Sequence, residues 1–155
     1  MAVLESPFDL PAGRLLALDL GQVRIGVAVC DEEGLLATPL TVLQRRPTRE
    51  EDFAGIVALV GRERAVGVLA GMPASEGEAS GQARWTRRYG GRLAGALPVP
   101  LAFWDETLSS VSAAERLAQA RSRTGIDAAA AAVLLEDYLA ARRTAGRGAD
   151  PEITD

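Results

Sequence analysis

The sequence predicts an α/β fold: a mixed five-stranded sheet of three antiparallel meander strands followed by parallel βα units, with helices on both faces. Three observations predict it. Three apolar runs come first, joined by short turn sequences, as in a meander. Segments of helical period then alternate with short apolar runs, and such βα units need right-handed crossovers and parallel pairing. One of those runs, Ala65 to Gly71, is apolar throughout, as a strand covered on both faces is.

Taken in order, residues 1–13 carry two prolines and a glycine and read as an irregular arm. Arg14 to Leu20 reads as a strand, broken by Gly21. Val23 to Cys30 is the second strand, and "DEEG" (Asp31 to Gly34) is a turn closed by glycine. Leu35 to Leu43 is the third, with Pro39 demanding an edge position or a bulge. Thr48 and Glu51 form a capping box, and Phe53, Ile56, Val57 and Val60 follow at helical spacing to about Arg64. After the fourth strand, "MPASEGEASG" is a loop. A helix runs from about Ser80 to Leu97, and "VPLAFW" is the fifth strand. Ser112 and Glu115 can cap a further helix to about Arg121. A last helix spans Thr124 to about Arg143, and the tail, 144–155, is expected to be disordered. One domain, 14–143, is the resulting organisation.

Composition narrows the chemistry. With 155 residues, 48% hydrophobic and 25% charged, the chain is of ordinary globular type. No apolar run reaches membrane-spanning length and the N-terminus lacks a signal pattern, so a cytoplasmic protein without membrane contact is expected. The single cysteine, Cys30, allows no internal disulfide and ends an apolar run, so a buried, inert thiol is expected. There is no histidine, and all 17 basic residues are arginine. Histidine-based triads, imidazole zinc sites, lysine Schiff bases and the P-loop lysine are thereby excluded. Any catalysis must rest on carboxylates, hydroxyls, arginine or a bound metal.

The carboxylates are placed suggestively. Asp19 lies inside an apolar strand, where an unpaired carboxylate is costly. Asp105 and Glu106 end the fifth strand. Asp127 shares a helical line with Ala131, Leu134 and Tyr138, so it tops the buried face of the last helix. Spacing alone equally allows Asp127, three after Thr124, to be a capping acid, and the Asp105-Glu106 pair to be a solvated strand end. Asp19, Glu106 and Asp127 can converge at one edge of the sheet, where ligands of such sheets bind. Three crowded carboxylates repel unless a cation holds them, and oxygen-only ligands favour Mg²⁺ or Mn²⁺. Two such ions can activate water and stabilise the leaving oxygen of a phosphodiester. Asp105, Gly21 and Arg24 are candidates for supporting positions.

"ALDLGQVRIGVAVCD", "TPL", "GMP", "DETLSS" and "IDAAAAAVLLEDYL" together resemble the YqgF/RuvX family, in the right order from about Leu15 to Leu139. The resemblance implies an RNase H-like fold. It also implies Holliday junction resolution or maturation of the end of pre-16S rRNA, with Asp19, Glu106 and Asp127 as the metal-binding catalytic acids. The family's usual arginine after the Asp-Glu pair is Thr107 here. The expected partners are nucleic acid, as a four-way DNA junction or precursor rRNA, and a second copy of the chain in a homodimer.

The net charge of −4 does not itself suggest nucleic acid, but the basic residues cluster. Arg84, Arg87, Arg88 and Arg92 fall on one helix face beside an apolar stripe of Trp85, Tyr89, Leu93 and Leu97; Arg121, Arg123, Arg142, Arg143 and Arg147 follow later. A solvated face explains such a run, and so does a phosphate-binding surface, since guanidinium forks bind phosphate bidentately. Two rival functions remain at this level. The D-x-G opening also begins nucleotide-binding lobes of the sugar-kinase, actin and Hsp70 type, but those need two lobes and this chain has length for one. A catalytically silent RNA- or ribosome-binding module would not need all three acids.

Overall fold

The computed structural model describes residues 2–73, 81–105 and 126–149. Five strands form one sheet: β1 (Leu15–Leu20), β2 (Arg24–Cys30), β3 (Ala37–Gln44), β4 (Gly67–Met72) and β5 (Leu101–Asp105), in spatial order β3-β2-β1-β4-β5. β1 pairs antiparallel with β2, and β2 with β3; β1–β4 and β4–β5 are parallel. The chain therefore leaves β1 toward one edge through hairpins and toward the other through crossovers. β1 is the switch point beside which sites form in open α/β sheets. The expected mixed sheet is the one observed.

α1 (Arg49–Glu63), α2 (Gly81–Ala96) and α3 (Ile126–Ala149) complete the described elements. The inner strands β1 and β4 are buried on both faces, and so is most of β2, whereas the edge strand β3 is largely half-buried. Leu16, Leu18, Ile25, Val27 and Val68 pack with Ile56 and Val60 of α1 and Leu93 of α2. Leu15, Ala17, Ala28, Leu69 and Ala102 pack with Leu135 and Tyr138 of α3. Each such leucine or isoleucine contributes about 1.5–3 kcal/mol by leaving water. Pro39 behaves as its missing N–H requires: β3 is an edge strand, and its register on β2 slips there, Val27 facing Thr41 but Ala28 facing Pro39. Thr48 caps α1, accepting the Glu51 N–H at 3.2 Å.

Two boundaries differ from expectation. The last helix does not stop at Arg143 but continues to Ala149; inside this extension the Thr144 hydroxyl donates to the Ala140 carbonyl at 3.2 Å. The N-terminal arm has no long element, but it is built onto the domain. Ser6 caps a single 3-10 turn (Pro7–Asp9), Phe8 packs on Trp104 and Tyr138, and Leu10 is fully buried. The helix expected over 112–121 and the segment 150–155 lie outside the described residues, as does most of the "MPASEGEASG" loop. Among the described residues, no helix is long and apolar enough to cross a membrane.

Candidate active site

Asp19 sits at the C-terminal end of β1, and strand alternation puts it on the face of Leu15 and Ala17, which α3 covers. Its partner across the β1–β2 ladder is Gly26. The absence of a side chain there admits the first turn of α3: a Cβ on Gly26 would overlap the Asp127 carbonyl group. Asp127 is thus delivered over the strand pair that carries Asp19. It stands in the first turn of α3, where the helix dipole favours an anion.

The electrostatics follow from this packing. Among the described residues no side chain or backbone N–H donates to the Asp19 carboxylate, which is half-buried. Burial, and secondarily the charge of Asp127, push its pKa up from 3.8 to about 6. Asp127 itself accepts a hydrogen bond from Arg24 Nε at 2.8 Å. Cys30 is buried, as expected, with its pKa raised chiefly by burial.

The turn between β1 and β2 holds the site's outer wall. Gly21 donates its N–H to the Arg24 carbonyl at 3.0 Å, and a Cβ at Gly21 would meet that oxygen at 2.5 Å, so the turn requires glycine. The Gly21 carbonyl accepts from Arg45 Nη1 at 3.2 Å. Arg45 in turn pairs with Asp52 through Nε at 2.5 Å, and its guanidinium lies over the Trp85 and Tyr89 rings at 5.3 and 4.9 Å from their centroids. Asp52, 4% exposed, also accepts from the Arg46 N–H at 2.7 Å and the Tyr89 hydroxyl at 3.1 Å. Burial and the Asp52 charge hold the Tyr89 hydroxyl far above its ordinary pKa. Sequence reasoning missed this network. The signal was present, because Asp52 shares a helical line with Ile56, Leu59 and Val60, as Asp127 does with its own apolar line.

The structure brings together Asp19 and Asp127, with Gly21 and Arg24 adjoining them. Glu106, Arg121 and Arg123 lie outside the described residues, and among the described residues no cluster of three metal-ligating side chains occurs. Asp105 does not join the pair: it alternates with Trp104, which packs on the α3 face, so Asp105 falls on the other face of β5. Arg84, Arg87, Arg88 and Arg92 are exposed on α2, beside buried Tyr89, Leu93 and Leu97 and half-buried Trp85, as the stripe predicts. Gln22 of the β1–β2 turn donates to Gln82 at 3.4 Å, so the arginine face begins at the rim of the Asp19 site. Two of the later arginines serve elsewhere. Arg142 donates to the Leu10 and Pro11 carbonyls, and Arg143 to the Gly34 carbonyl. They lie about 22–24 Å along α3 from Asp127 at the usual rise per residue, where Arg142 holds the arm and Arg143 the β2–β3 turn.

Comparison with known proteins gives the family and the fold. The model of the family described as "RuvX: Holliday junction resolvase" matches residues 13–141. A Chloroflexus aurantiacus protein named "Putative pre-16S rRNA nuclease" is 41% identical over 137 residues, covering 84% of this chain and 88% of its own. A Mycobacteroides abscessus protein of the same name is 36% identical over 154 residues, 93% of this chain and 91% of its own. Among solved structures, Thermus thermophilus RuvC in complex with a Holliday junction substrate superposes with a TM-score of 0.60 at 16% identity, over 85% of this chain and 96% of its own. That likeness places the sheet in the RNase H-like fold.

Proposed function

The chain belongs to the RuvX family, a family of nucleases that hydrolyse phosphodiester bonds, and from that premise we propose that it cleaves structured nucleic acid at a divalent-metal site on Asp19, Asp127 and Glu106. The observation that carries the site is the Asp19 carboxyl: half-buried at the switch-point end of β1, faced by a second carboxylate, and without a hydrogen-bond donor among the described residues. A carboxylate so placed asks for a cation. The two described acids offer only hard oxygen donors, which fit Mg²⁺ or Mn²⁺ and not a soft metal.

Bound there, the divalent cation supplies charge neutralisation for the scissile phosphate and a water of lowered pKa. The protein's own residues do the rest. Gly26 lets α3 hold Asp127 close to Asp19, the Gly21 turn fixes the end of β1, and the arginines of α2 orient the phosphate backbone. With neither histidine nor lysine in the chain, no imidazole or lysine amine is available to take the proton of the attacking water.

Precursor 16S rRNA is the first substrate to test, because relatives matching most of the chain carry that name. A four-way DNA junction is the second, from the family's description. Cutting a junction on two strands would call for two sites and hence a homodimer. Either substrate puts the work in the cytoplasm. The deciding experiment incubates purified protein with both substrates in parallel, with Mg²⁺, Mn²⁺, Ca²⁺ or excess chelator. Cleavage of one or both in Mg²⁺ or Mn²⁺, loss with chelator and loss in Asp19→Asn are expected. Ca²⁺ should support binding without turnover, given its looser coordination. Cleavage that persists in chelator would overturn the metal mechanism. Tight binding without cleavage under any metal would make the protein a silent nucleic-acid module.

A further inference from the structure

Two arginine–aspartate pairs flank the site, and they are built differently. The side chains of Arg45 and Asp52 are 19% and 1% exposed, and the carboxylate takes further bonds from a backbone N–H and a tyrosine hydroxyl. Such a pair is part of the frame, because opening it would strand a buried charge. Arg24 and Asp127 are 49% and 28% exposed and joined by one bond, Nε to Oδ2. An ion pair this exposed contributes little and opens at little cost.

We propose that Arg24 is a displaceable counter-ion: it holds Asp127 Oδ2 in the metal-free protein, yields it when a divalent cation binds, and thereby sets the cation affinity of the site. The placement supports this. The Gly21–Arg24 backbone bond anchors Arg24 at the start of β2, immediately beyond the Leu20–Ile25 pair and two positions from Gly26, over which Asp127 is seated. The guanidinium therefore stays beside the acidic pair whether or not it is bonded. It bonds Asp127 but not Asp19, so the Asp19 carboxylate is left for the cation. Its own positive charge and its hold on an Asp127 oxygen both oppose a divalent ion, so affinity is held down.

The inference rests on the reading of the acidic pair as a metal site, and the test separates the two. Calorimetric titration with Mn²⁺ compares wild-type protein with Arg24→Gln, Arg24→Lys and Asp19→Asn. Removing one nearby positive charge should tighten Mn²⁺ binding about three- to tenfold in Arg24→Gln, with Arg24→Lys between it and wild type. Unchanged or weaker binding by Arg24→Gln would overturn the proposal, making Arg24 a bystander or an organiser of Asp127. A second measurement needs no variant to fold. In wild-type protein the Arg24 Nε–H resonance should shift and exchange faster with water on saturation with Mg²⁺; an unmoved, still protected resonance overturns the proposal. If wild type binds no Mn²⁺, or Asp19→Asn binds it equally well, the metal-site reading itself falls, and this inference with it.

Discussion

At the scale of single residues, Gly26 and Asp19 define the site together. A methyl group on Gly26 has no flexible neighbour to displace; it meets the backbone of Asp127 and Ala128. Gly26→Ala should therefore lift the first turn of α3 from the sheet and cost more than the 1–3 kcal/mol typical of overpacking. Urea unfolding would show a midpoint well below wild type, and Mn²⁺ affinity should fall because Asp127 moves away. Asp19 makes the opposite prediction. Its folded pKa, about 6, lies above the ordinary 3.8. Between those values the folded protein keeps a proton that the unfolded chain has lost, so the metal-free protein loses stability as pH rises through that window. The burden, of order 1–3 kcal/mol, is complete above about pH 6 and absent below 3.8. Metal-free Asp19→Asn should then melt a few degrees above wild type at pH 7.5, with the gain vanishing near pH 3.5, while cleavage is lost. A variant that melts below wild type at pH 7.5 would show that Asp19 is structural.

At the scale of elements, the buried Asp52 ties the N-terminus of α1 to the end of β3, to α2 through Tyr89, and through Arg45 to the Gly21 carbonyl. Asp52→Asn keeps the shape but leaves Arg45 uncompensated, so a loss of about 3–5 kcal/mol is expected. Thermal unfolding measures it, and a loss under 1 kcal/mol would mean that the network is solvated and not part of the frame. How legible such elements are depends on the range of the interactions behind them. Pro39 announces an edge or a bulge because its missing N–H is a local fact, and both are present. Asp127 is legible from the apolar line beneath it. Asp52 stands on a similar line but next to Glu50 and Glu51, and an acidic first turn is what any helix dipole favours, so the buried member is masked. The arm is the extreme case. Its prolines read as irregular backbone, yet its carbonyls at Pro7 and Leu10 are held by Tyr138 and Arg142, 131 and 132 residues away, a closure that no local pattern encodes.

At the scale of the whole molecule, the acidic pair and the arginine face lie on opposite layers of one sheet, joined at the rim where Gln22 meets Gln82. This arrangement answers the contradiction in the charge: a chain of net charge −4 can bind nucleic acid if its arginines are gathered where the backbone passes and its carboxylates where the cation sits. It also orders the expected effects. Along α2, Arg84 is nearest the rim, Arg88 one turn further and Arg92 about 12 Å beyond Arg84 at the helical rise. If a strand runs from the acidic pair across α2, reversal to glutamate should weaken binding most at Arg84 and least at Arg92. An arginine that neutralises one phosphate adds about 0.9 to the log–log salt slope on duplex DNA, so its reversal should flatten the slope by that much. The fold should survive, because these side chains are exposed beside the core stripe and not in it. Binding measured in Ca²⁺ at several salt concentrations, with circular dichroism on each variant, tests the gradient. Equal losses at all three positions would indicate a diffuse field and not a track. Unchanged affinity and slope in the triple variant would make this face merely solvated and move the phosphate grip to other arginines. A shallower slope with native helicity and undiminished Mn²⁺ affinity is the expected result, because the grip and the acidic site are carried by different layers of the sheet and meet only at its edge.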